Sequence, residues 1–226
     1  MAISKASSSA VAPAALGDLV VGSATNDSSV LPIGSTGQVL TVAAGTASWA
    51  TPSGSSTSWS LLNSGGTALT GAATITVSSI SGYNSFMVLV SGASATASGS
   101  LIQLRMNGIS TAKYYQYGQN RVMAATYSAS QSDVVNSVGN SIYLGYMSSV
   151  ASSTVSGYCM ITGANQTTVP VFQAAGAGNA PSGNGNQSFN TGGYFDNQST
   201  VISSISLFSD SGNFDAGTLF IYGSTI

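Results

Sequence analysis

Residues 73–80 read ATITVSSI. Ile75 and Val77 alternate with Thr74 and Thr76, so one face of the segment is apolar and the other hydroxylated. That period of two marks a half-buried strand. Similar short runs recur at 85–90, 101–107, 141–147, 156–162, 201–209 and 218–223. They are rich in β-branched and aromatic residues, which suit a pleated surface. Clusters of Gly, Asn, Ser and Pro separate them. No window carries a helical period with caps. Seven or more short strands predict an all-β chain with an antiparallel β-sandwich, jelly-roll-like, over residues 59–226. The Gly/Asn-rich run 176–193 reads as a long loop within it.

Upstream, residues 17–49 read GDLVVGSATNDSSVLPIGSTGQVLTVAAGTASW. Their apolar clusters are Leu19-Val20-Val21, Val30-Leu31 and Val39-Leu40-Thr41-Val42, and Gly and Pro punctuate them as turns. Strand, turn, strand, turn is the expectation for residues 17–52. Each cluster is too short to build a core alone. Residues 53–58, in the stretch TPSGSSTS, form a linker by composition. Residues 1–16 are Ser/Ala-rich and read as an extended N-terminal anchor.

The chain has 226 residues, with 4 Lys or Arg, 6 Asp or Glu and no His. All the acids are Asp, and no charge lies between Ser28 and Leu104. A net charge of −2 does not steer the chain toward nucleic acid or an anionic membrane. Hydrophobic residues make up 43%, too many for the signature of disorder. Monomer surfaces usually carry many charges, so a chain nearly without them is expected in an assembly. No run approaches the roughly 18 apolar residues of a membrane span, and residues 1–16 make a poor signal peptide. The single Cys159, within GYCMITG, is expected as a small buried hydrophobe.

Much chemistry is excluded. Without His there is no Ser-His-Asp or Cys-His arrangement, and the commonest zinc ligand is missing. The phosphate-loop pattern is absent. Asp210-Ser211-Gly212 offers one carboxylate where an aspartic dyad needs two, and a polar turn is the simpler reading. DSGNFDAG places Asp210 and Asp215 near each other but lacks the spacing of a calcium loop. No catalytic residue, metal or cofactor is expected. Tyr114, Tyr115 and Tyr117, close to Arg121, are candidates for surface recognition, since tyrosine faces stack on sugars. On a strand, Tyr115 and Tyr117 share a face, and ordinary packing is the other reading.

The residues Gly17, Asp18, Leu19, Val21, Leu31, Gly34, Gly37, Gln38, Val39, Leu40 and Trp49 form a pattern that resembles a segment of bacteriophage fibre proteins. The stretch 202–223, with Ile202, Ile205, Gly212, Asn213, Phe214, Gly217, Thr218, Tyr222 and Gly223, is similar to the final hairpin of phage virion domains. Residues 59–90 are similar to the first strands of the same domains. The likeness covers about half of the chain, and residues 1–16 match nothing.

The resemblance implies a non-enzymatic structural protein of the virion surface, made in the host bacterial cytoplasm. Combined with the weak core of residues 17–52, it implies a homotrimer. Three stems would bury Leu19, Val21, Leu31, Val39 and Leu40 around one axis, each contributing about 1.5–3 kcal/mol if fully buried. The alternative is that the segment packs back on its own head as extra strands. A tail or head location, with other virion proteins as partners and a host glycan or protein as target, stays open. So do a capsid decoration protein and a glycan-binding module. A glycan-cleaving spike is disfavoured, because no pair of carboxylates is evident.

Overall fold

The computed structural model describes residues 13–24, 27–52, 59–123, 129–150, 153–180, 185–196 and 201–226. The chain divides into two compact units, Met1–Ser56 and Thr57–Ile226. The division falls within the 53–58 stretch, which lies outside the described residues, as does most of the 1–16 segment. The described residues are all-β, with no helix.

The first unit holds β1 (Leu19–Ala24), β2 (Asp27–Leu31), β3 (Val39–Ala43) and β4 (Thr46–Ala50). They form two separate antiparallel hairpins, β1-β2 and β3-β4. The segment joining them is tied from both sides. The Asp18 carboxylate accepts from Ile33 N at 2.9 Å, from Ala15 N at 2.9 Å and from Ala14 N at 3.0 Å. Trp49, on β4, donates its indole N–H to the Pro32 carbonyl at 2.7 Å. The Trp49 ring lies so close over Gly34 that a Cβ there would sit 2.7 Å from Cγ. Gln38 Oε1 accepts from Ser35 N at 2.7 Å and closes the turn. The spaced Gly, Asp, Gln and Trp of this sequence pattern are thus one physical joint.

The second unit contains β5 (Ser60–Leu61), β6 (Thr67–Ala68), β7 (Thr74–Ser78), β8 (Ser85–Ala95) and β9 (Leu101–Met106). It continues with β10 (Tyr114–Met123), β11 (Ala129–Gly139), β12 (Ile142–Tyr146) and β13 (Val155–Thr162). It ends with β14 (Val171–Ala180), β15 (Gly185–Phe195), β16 (Ser204–Ser209) and β17 (Phe214–Ser224). A nine-stranded sheet runs β11-β10-β15-β14-β13-β8-β17-β5, with β6 also paired to β17. A four-stranded sheet runs β12-β9-β16-β7. Every pairing is antiparallel.

The inward residues of both sheets form one hydrophobic cluster. Phe86, Val88 and Val90 come from β8, Ile102, Leu104 and Met106 from β9, and Ile205 and Leu207 from β16. Strict alternation of buried and half-exposed positions along β9 shows the period of two directly. Cys159 is buried in this core as expected, and burial pushes its thiol up to about 12, so it stays protonated.

The described residues of the run 176–193 are strand rather than loop: 176–180 lie in β14 and 185–193 in β15, which pair from Val171↔Tyr194 to Ala180↔Gly185. Its small residues are a packing requirement. Inward-facing Phe189 on β15 lays its ring across Gly176 of β14 and Gly157 of β13. A Cβ on Gly157 would sit 2.8 Å from the ring, and one on Gly176 would meet the same ring and the Ser156 carbonyl at 2.5 Å. Glycine in these strands gives up propensity to let a phenyl ring rest on bare backbone.

Candidate functional site

The tyrosine cluster sits on β10, and alternation splits it. Tyr114 is fully buried, so it is not a surface recognition residue. Its ring stacks on Phe195 with centroids 4.7 Å apart. Its hydroxyl accepts from Met106 N at 2.9 Å and faces the carbonyls of Met106 and Ile109 at 3.2 and 3.1 Å. Burial pushes its pKa up to about 12. The sequence showed three tyrosines beside cations, but strand parity sends the first into the core.

Tyr115, Tyr117 and Arg121 share the outward face of the large sheet with Gln119. Register places Tyr194, Gly192, Asn190 and Ser188 of β15 opposite these four. Beyond them on β14 lie Val171, Gln173, Ala175 and Ala177. Tyr115 and Tyr194 stack with centroids 4.4 Å apart and planes within 9°. Partial burial holds the Tyr194 hydroxyl above its ordinary pKa, helped by Tyr117, Tyr115 and Asp196. Lys113 pairs with Asp196 at 3.7 Å at the margin of this patch.

Two adjoining depressions cross this face. One, of about 510 Å³, is lined by Tyr117, Gln119, Gln173, Asn190 and Gly192. The next, of about 390 Å³, is lined by Gln119, Arg121, Ala175, Ser188 and Asn190. They share Gln119 and Asn190, so together they form one shallow groove. Its floor is low because Gly192, Ala175 and Ser188 carry little or no side chain. The groove's Gln119, Gln173, Asn190 and Ser188 are visible only through strand register, since nothing in their local sequence sets them apart from other Asn, Gln and Ser residues.

The carboxylates have structural partners. Asp210 accepts from Leu101 N at 2.6 Å, and Asp215 accepts from the Ser94 hydroxyl. Each secures a strand end, as a polar turn would. Among the described residues no group of three or more metal-ligating side chains occurs.

In the first unit no described residue is buried. Leu19 pairs with Leu31, and Val21 lies on the same face. On β3, Val39 and Leu40 are 45% and 49% exposed and point to opposite sides. Leu40 stands across from Trp49 and shares its face with Val42, which is 76% exposed. A single axis takes Leu40 with Val42, or Val39, but not both faces of the hairpin at once. Val42 is the residue the sequence pattern left out of the candidate stem core.

Comparison with known protein families, with curated proteins and with solved structures returns no match.

Proposed function

We propose that the chain is a non-enzymatic surface protein of a phage particle, a short trimeric fibre. Its first unit would hold three copies together, and its second unit would form an outward-facing β-sandwich head. The observation that carries this reading is the first unit's unburied apolar surface. Leu19, Val21 and Leu31 share one hairpin face, and Leu40 and Val42 another, yet none is buried within the chain. Such residues gain only when a partner covers them. The near absence of charge over both units fits a partner made of the same chain. The pattern in residues 17–49 that resembles phage fibres adds the virion context. The tightly knit joint at Asp18, Pro32, Gly34 and Trp49 suits a stem that must keep two small hairpins in register.

Native mass spectrometry of the full chain tests the assembly. A stable trimer is expected, and Leu40→Asp should dissociate it, because three carboxylates would be forced together in an apolar contact. A folded monomer at micromolar concentration defeats the trimer. Imaging of particles that carry a tagged copy then distinguishes a fibre from a capsid decoration protein.

A further inference from the structure

We propose that the groove on the outer face of β10, β15 and β14 binds an extended oligosaccharide that carries a carboxylate. The inference deepens the fibre reading by giving its outward-facing second unit a ligand. It rests on the head alone, so it stands or falls apart from the trimer.

The shape comes first. Tyr117, Gln119 and Arg121 stand at every second position of one strand, and a strand rises about 3.3 Å per residue. The wall from Tyr117 to Arg121 is therefore about 13 Å long, enough for a short oligomer. Gln173 forms the facing wall, and Gly192, Ala175 and Ser188 keep the floor shallow.

The chemistry follows. Gln119, Gln173 and Asn190 each present an amide with two donors and one acceptor oxygen. All three are exposed, and among the described residues their side chains are not spent on hydrogen bonds to the protein. Such groups match neighbouring sugar hydroxyls, which both donate and accept. Tyr117, 47% exposed at one end, offers a flat face for a sugar ring. Arg121, at the other end, has no acidic partner among the described residues. Its planar fork fits a carboxylate.

Other occupants fit less well. A second copy of the chain would bury three amides and a guanidinium without partners, which is unfavourable. A nucleic acid needs several cations to neutralise phosphates, and this groove has one. A peptide added as a strand needs a free sheet edge, whereas β10, β15 and β14 are paired on both sides.

The test uses the purified full chain on an array of immobilised oligosaccharides, both uronate- or sialate-bearing and neutral. Titration calorimetry follows with hexagalacturonate, maltohexaose and the best acidic hit. Binding to a carboxylate-bearing oligomer is expected. Arg121→Gln and Tyr117→Ala should each weaken it about tenfold or more without changing thermal unfolding. Tyr158→Ala, on the same sheet face but outside the groove, should leave it unchanged. Retention of no saccharide overturns the proposal, as does binding indifferent to both groove variants. Equal affinity for acidic and neutral oligomers also overturns it, because the carboxylate then contributes nothing at Arg121. If Tyr117→Ala breaks the oligomer, the groove is a subunit contact and the proposal fails while the fibre reading survives.

Discussion

The side-chain amide of Gln116 takes both backbone groups of Tyr143. Its oxygen accepts from Tyr143 N at 2.9 Å, and its nitrogen donates to Tyr143 O at 2.9 Å and to Thr191 Oγ1 at 2.8 Å. Gln187 repeats the arrangement, accepting from Tyr146 N at 2.8 Å and donating to Tyr146 O. Strand β12 needs this help because its pairing with β9 shifts between Tyr143 and Tyr146. Two glutamines of the large sheet therefore stand in for a neighbouring strand of the small one. Gln116→Met keeps the volume and removes the bonds. It is expected to destabilise the second unit by about 1–3 kcal/mol for each buried group left unpaired. Urea unfolding of the variant beside Gln187→Met measures it.

Gly176→Ala should be destabilising although alanine is small. Its methyl would collide with the Phe189 ring and the Ser156 carbonyl, and overpacking of this kind typically amounts to about 1–3 kcal/mol. Phe189→Leu in the same chain frees space above Gly176 and should recover part of the loss. Denaturant midpoints of the single and double variants decide the point.

Tyr114 predicts an alkaline limit. Its folded pKa is raised to about 12, so the folded state holds the phenol proton more tightly than the unfolded chain does. The stabilisation is complete below the ordinary tyrosine pKa of about 10 and is lost as pH climbs toward 12. Tyr114→Phe should flatten this decline while lowering stability at neutral pH. Thermal unfolding scanned from pH 8 upward, at about half-unit steps, follows the change.

Asp18 sets the opposite limit for the first unit. Hydrogen bonds from Ile33, Ala15 and Ala14 hold its carboxyl below the ordinary aspartate range. Its contribution is present above the unfolded value of about 3.9 and disappears as pH falls through the depressed one. Trp49 fluorescence, read in a Trp59→Phe background, should stay constant above about pH 5 and change below that window. Asp18→Asn should abolish the acid transition, because the amide cannot accept from all three N–H groups.

The strands that alternate apolar with polar residues were legible in the sequence. β7, β8, β9, β12, β13, β16 and β17 lie where Ile75, Val88, Leu104 and their like repeat every second position. β14 and β15 were not, because Gly176, Gly178, Gly192 and Gly193 carry the signature of a loop. What crowds Gly176, Gly178 and Gly193, such as the Phe189 ring packed on Gly176, is a contact between strands and leaves no local trace. The same holds for the groove. Tyr117 and Arg121 stood out by type, but Gln173 reaches them only through the β14-β15-β10 register. Asp18 and Trp49 were visible as a pattern, yet their meeting at residues 32–34 is tertiary.

Strand β17 lies between β8 on one side and β5 and β6 on the other. Asn63, beside β5, accepts from Ile221 N across 158 positions of chain. The large sheet cannot close until the ribosome has passed Ser224. Until then β8 and the two short strands wait with open edges. Folding of the second unit is therefore late and governed by distant contacts, which makes it slow. A truncated product that stops before Phe214 would expose those edges and be lost to aggregation or proteolysis, so only chains translated through β17 would complete the large sheet.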